Sequence, residues 1–185
     1  MLKVRWYTGW KGNTISRLPS NKILVPSKEL DEKPEPGEEW VILEKIELPF
    51  CAILTKGRRF ERPSFPTFSE DGKAEWEIVS GSKVVGKDSG MVESIEFSST
   101  NPGLVSIKVK GVTFRGHLYL SSSGWYIGKE QENLSLLPRI YHNMIDRDKI
   151  CKDCLTEAKD SPQPKRVFPK LLPPDNPERC YRHHG

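Results

Sequence analysis

Two pairs of potential metal ligands, Cys151-Lys152-Asp153-Cys154 and Cys180-Tyr181-Arg182-His183, bracket a stretch with no other evident means of folding. Between them, Leu155 to Arg179 carries Pro162, Pro164, Pro169, Pro173, Pro174 and Pro177 and few apolar side chains. Each proline removes a backbone donor and biases its predecessor to extended geometry, so the stretch offers neither a long helix nor a core of its own. A metal ion supplies what the core cannot. Two residues between ligands let a short turn aim both donor atoms at one centre, and two such pairs complete the tetrahedron that zinc prefers. The expected ligands are Cys151, Cys154, Cys180 and His183. His184 competes for the fourth place, but His183 repeats the spacing of the first pair. With four protein ligands nothing is left open for water, so the expected zinc is structural and its binding energy is folding energy.

Other uses of these thiols fit the sequence less well. A redox pair asks for a βαβ setting with the cysteines at a helix start, which the pattern does not show. Idle thiols and an iron–sulfur cluster are the remaining alternatives, the cluster wanting a cysteine where His183 stands. Cys51 lies alone in an apolar, strand-like run, so the four cysteines read as metal ligands plus one buried thiol and not as a disulfide framework.

The rest of the chain reads as mainly β, with two small antiparallel barrels or sandwiches ahead of the zinc-stabilised, proline-rich tail. Short β-prone runs at Leu2 to Tyr7 and Ile23 to Val25 alternate with turn residues, and Trp40 to Ile46 with Phe50 to Thr55 predict a hairpin around Leu48-Pro49. Lys33-Pro34-Glu35-Pro36-Gly37 is a loop leading into the strand at Glu39-Trp40. Residues Gly57 to Gly72 hold no sustained period and read as a connector whose phenylalanines dock on a neighbouring surface or stack on bases. Strands resume at Ala74. Leu104 to Lys110 alternates cleanly, with Val105, Ile107 and Val109 on one face and Ser106, Lys108 and Lys110 on the other. Gly86 to Gly90 and Ser98 to Gly103 are expected turns, Phe114 to Ile127 supplies two strands closed by Ser121 to Gly124, and Ile140 to Lys149 is one helical turn or a short strand. The expected domains are residues 1–57, a linker at 58–73, a second β domain at 74–142 and the zinc-binding tail at 143–185.

Charge bounds the partners without choosing one. Lys and Arg number 29 against 25 Asp and Glu, a net charge of +4, with both signs spread through the same segments, so a nucleic-acid partner is permitted and not demanded. No apolar run approaches the roughly 18–20 residues of a membrane span, and the start has no signal-peptide pattern, from which a soluble, cytoplasmic protein is expected. The reading that follows is a factor without chemistry of its own that binds nucleic acid, RNA slightly ahead of DNA, or belongs to a large nucleoprotein complex. Cations near aromatic residues are its candidate contacts: Arg58, Arg59, Lys87, Lys108, Lys110, Arg115, Arg166 and Lys170, with Trp10 or Trp125 as stacking platforms. The rival is a protein–protein adaptor, subunit or inhibitor that docks on a larger machine through strand edges and the proline-rich loop. His117 and His142 sit in no pattern with Ser, Cys or paired carboxylates, and Gly86 to Gly90 lacks the spacing of a phosphate loop.

Two resemblances add to these readings. The Cys-x2-Cys and Cys-x2-His pairs resemble zinc-ribbon and zinc-knuckle families over residues 151 to 183, which implies nucleic-acid binding or a place in polymerase and nucleoprotein assemblies. Zinc-knuckled HNH nucleases use similar outer pairs but carry catalytic histidines beside them, and no His lies between Cys154 and Cys180. Val79 to Val92, with its Gly86-Lys87-Asp88-Ser89-Gly90, running on to Val105 to Gly111, resembles the KOW pattern of SH3-like barrels, which implies a five-stranded barrel binding RNA through its turns. The likeness spans residues 79–111 and departs from the pattern after Met91, where the family has another glycine.

Overall fold

The computed structural model describes residues 1–98, 100–101 and 103–166. Strands take 52% of the described residues and helix 10%, which sets the class as mainly β, and the strands form two curled, half-barrel sheets. Two compact units divide the chain: Met1–Ser64 with Glu77–Lys87, and Phe65–Trp76 with the residues from Asp88 onward. Among the described residues no helix is long and apolar enough to cross a membrane.

The first unit is built from β1 (Leu2–Arg5), β2 (Tyr7–Thr8), β3 (Thr14–Arg17), β4 (Ile23–Pro26), β5 (Glu39–Glu47), β6 (Cys51–Arg59) and β7 (Arg62–Pro63). Its six-stranded sheet runs β1-β5-β6-β4-β3-β2, antiparallel except where β4 lies parallel to β6. The β5–β6 pair is the hairpin expected around Leu48-Pro49, its tip closed by the Leu48 N–H donating to Cys51 O at 2.8 Å. Because β1 and β2 are successive pieces of one chain yet stand at opposite ends of the order, the sheet curls round on itself. The Ser16 hydroxyl, donating to Arg5 O at 2.6 Å, ties β3 back to β1. Alternation decides what the curl encloses: Val4, Trp6, Leu24, Trp40, Ala52 and Leu54 form the core with Leu18, and Lys3, Arg5 and Tyr7 between them point out. Cys51, at the mouth of β6, is half-buried and not the buried thiol expected.

Residues beyond β6, read as a connector, contribute short strands: β7, and β8 (Thr67–Phe68). Both pair with β9 (Lys73–Ser80), β7 at Val79 and Ile78 in the first unit and β8 at Glu75 and Ala74 in the second. In the second unit the phenylalanines dock inward: Phe65 stands edge-on to Phe114 at 6.4 Å, and Phe68 to Tyr141 at 6.1 Å.

After the Gly81-Ser82 turn comes β10 (Lys83–Phe97), then β11 (Leu104–Val109), β12 (Val112–Ser121), β13 (Gly124–Gly128) and β14 (Ser135–Leu136). Gly86 to Gly90, expected as a turn, lies inside β10. Neither glycine adopts a positive φ, so the backbone passes straight through them and the reversal happens earlier, at Gly81. The alternation of β11 is as expected, with Val105, Ile107 and Val109 fully buried. Ser122 and Ser123 make the tight connection between β12 and β13. Two 3-10 helices, Arg139–Met144 and Arg147–Lys149, lead to α1 (Lys152–Lys159), which packs on β12, and β15 (Lys165–Arg166) then adds to β12 beyond the part that β11 covers.

Candidate metal centre and nucleic-acid interface

Cys151 is the N-cap of α1 and Cys154 lies in its first turn. Residues three apart on a helix are neighbours on one side, and here the two cysteines form a small buried cluster, 0% and 4% exposed. The pair therefore does stand at a helix start, the placement whose apparent absence told against a redox role, although α1 belongs to no βαβ unit. Cys180 and His183 lie outside the described residues, and among the described residues no group of three or more His, Cys, Asp or Glu converges. The chemistry of the described half suits a thiophilic ion: two thiols, side by side and sheltered from water.

The candidate cations differ sharply in what surrounds them. Arg59 is the most constrained. Its Nε lies 3.0 Å from Glu38, its Nη1 3.3 Å from Glu61, and its other amine meets Glu32. The Nε contact to Glu38 is off the hydrogen-bond axis, so it acts as an ion pair. Glu38 itself, 1% exposed, accepts from Trp40 Nε1 at 3.1 Å and from the Glu35 N–H at 2.9 Å, and Lys83 Nζ approaches its second oxygen at 4.0 Å. Lys83 also pairs with Glu35. Arg59 is thus held among three carboxylates, which sets it apart from the exposed candidate cations. This buried carboxylate is the residue that reading the sequence missed, since its partners are scattered from Glu35 to Lys83.

Lys110 donates to Asp88 at 3.0 Å, and that bond holds the Asp88 carboxyl below its ordinary pKa. Lys108 stands 4.0 Å from Glu96. Arg58, Lys87 and Arg115 are exposed. Arg166 pairs through its backbone with Tyr119, and Lys170 lies outside the described residues. Of the two tryptophans expected as platforms, Trp125 is 3% exposed and belongs to the core, and Trp10 is 91% exposed in the turn between β2 and β3 with Lys11 Nζ 5.1 Å from its ring. His142 is tied through Nε2 to Leu137 O at 3.2 Å.

Comparison with protein-family models, curated proteins and solved structures finds no match.

Charge is unevenly shared between the units. The first holds 14 Lys and Arg against 10 Asp and Glu, and the second 15 of each, so the whole net charge of +4 belongs to the first unit. Exposed apolar side chains collect there too, at the β5–β6 tip, where Phe50 is 93%, Ile46 51% and Leu48 40% exposed.

Proposed function

We propose that this protein is a non-catalytic, nucleic-acid-binding or nucleoprotein-associated factor whose C-terminal segment is ordered by one structural zinc ion. The observation that carries the binding reading is the confinement of the net positive charge to the unit that also presents the exposed Trp10. A cationic surface beside an accessible aromatic ring is what phosphate neutralisation and base stacking require. Zinc is supported by the buried Cys151–Cys154 pair and by a second pair of matching spacing at Cys180 and His183. In this role the four ligands close the site, and the metal fixes a proline-rich segment that has no core to fold around. The units act as barrel-like modules of an intracellular protein, with RNA slightly ahead of DNA as partner.

The test is a salt series of binding to mixed RNA and DNA oligonucleotides. Affinity that falls steeply and linearly on a log–log plot supports the reading, and absence of binding at low salt refutes it. The second reading is a protein–protein adaptor, favoured by the exposed Phe50, Leu48 and Ile46 of the β5–β6 tip. Such a contact is largely apolar, so its affinity is insensitive to salt.

A further inference from the structure

The β1–β5–β6 ladder gathers cations that are far apart in sequence onto one face. Directly opposed residues of an antiparallel pair share a face. The register aligns Lys3, Val41 and Arg58 in one row and Arg5 with Glu39 in the next, and Phe60, whose N–H donates to Glu39 O at 2.7 Å, extends the second row. Val4 and Trp40 occupy the opposite face, in the core; on the outer side Val41 is covered, 2% exposed, and Lys3, Arg5 and Arg58 around it are exposed. Lys3 Nζ sits 4.0 Å above the Phe60 ring, which holds the lysine over the sheet. The alternation that buries Trp6 turns Tyr7 outward as well, 37% exposed, and Trp10 follows at the next turn. These rows contain one carboxylate, Glu39, whose side chain is 20% exposed and 3.8 Å from Arg5.

Resting on the reading of this protein as a nucleic-acid binder, we infer that this face takes single-stranded nucleic acid, Lys3, Arg5 and Arg58 contacting phosphates and Tyr7 and Trp10 stacking on bases. Strand geometry spaces the cations by about 7 Å along β1 and about 10 Å across to β6. That makes a broad, shallow platform, whereas reading a duplex needs an element that projects into a groove. Among nucleic acids, accessible rings can stack only on unpaired bases, which points to a single strand over a duplex.

The test is fluorescence anisotropy of labelled oligouridylate and oligothymidylate of about 12 nucleotides, a duplex and a polyglutamate peptide, using the full chain. Removing all three charges (Lys3→Gln, Arg5→Gln, Arg58→Gln) is expected to flatten the log–log salt slope by about 2, at about 0.7 per phosphate contact. Trp10→Ala should weaken binding about tenfold, and Lys129→Gln, an exposed cation of the other unit, should change nothing. Unchanged urea midpoints show that the variants fold. Binding by the parent chain that survives the triple substitution overturns this face and leaves the broader reading standing, and no binding by the parent chain overturns both. Equal affinity for polyglutamate with no loss in Trp10→Ala gives the face to an acidic protein and refutes the proposal.

Discussion

Replacing Glu38 tests whether the Pro34–Gly37 loop is held to the first unit by one buried carboxylate. In Glu38→Ala the Trp40 indole N–H and the Glu35 N–H lose the oxygen they share, at 3.1 and 2.9 Å, and stranding a buried donor costs about 1–3 kcal/mol. Arg59 loses its buried partner but keeps Glu32 and Glu61, and its side chain is 23% exposed, so solvent screens part of that change. The net expectation is a loss of about 3 kcal/mol, at the lower end of what breaking a buried pair costs. Glu38→Gln separates the contributions. Its carbonyl oxygen can keep both shared bonds, and its amide replaces the oxygen that faces Arg59, so the loss should be smaller, about 1–2 kcal/mol. Combining Glu38→Gln with Arg59→Met removes the clash of donors, and the double variant should be less destabilised than the sum by about 1 kcal/mol. Urea denaturation followed by tryptophan fluorescence reads all four variants, Arg59→Met alone included. If Ala and Gln cost the same, the shared oxygen contributes nothing. Additive behaviour of Gln and Met would mean that Arg59 and Glu38 do not interact, and either result refutes the reasoning.

The turn beneath this network gives a second comparison. Gly81 has φ +60° and a Cβ there would collide with the Gly37 carbonyl oxygen, whereas Gly12, at φ +81°, has nothing within 4 Å. Gly12→Ala should cost only the backbone strain, about 1 kcal/mol, and Gly81→Ala clearly more; equal shifts in denaturation midpoint would show that the close approach does not matter. At the β5–β6 tip, hydrogen bonds from Lys22 and then Lys45 lower the Glu47 pKa from 4.5 to about 2. A depressed carboxylate stabilises the folded state above its unfolded pKa and ceases to do so as pH falls through the folded one, so this contribution fades between pH 4.5 and about 2. An NMR titration of Glu47 should show that low midpoint, shifted upward in Lys22→Met, and an ordinary midpoint in the parent chain would refute the pairing. Metal analysis should give one zinc per chain, and Cys154→Ser or Cys180→Ser should abolish retention through dialysis. Zinc retained by Cys180→Ser would refute the second pair as ligands.

Local pattern carried the reading where one short window contains the cause. Val105, Ile107 and Val109 alternate because a strand turns successive side chains to opposite faces, and all three are buried. The β5–β6 hairpin was legible from two apolar runs around Leu48-Pro49 for the same reason. Gly86 to Gly90 misled because a Gly-Lys-Asp-Ser-Gly string carries turn chemistry, but the valines before it and the strand after it keep the backbone extended. The short strands β7 and β8 left no period to find, since each pairs over only two residues. The surroundings of Arg59 were hidden for a different reason. Its carboxylates come from residues 32, 38 and 61, brought together only by the curl of the sheet. Lys3 and Arg5 were passed over as part of a strand, and it took the register with β5 and β6 to set them beside Arg58.

The bent segment Leu2–Thr8 sits at both ends of the first sheet, β1 against β5 and β2 against β3. Its removal would therefore unzip two ladders at once, baring the backbone of β5 and of β3 as adhesive edges of the kind that recruit other chains. It also sets an order of events during synthesis. Leu2 has no partner until Ile42 exists, so β1 must wait, unpaired, through the making of β3, β4 and the start of β5, although β2 can pair as soon as β3 is made, and a nascent chain interrupted before residue 42 would expose the apolar face of β1 to whatever else can pair with it.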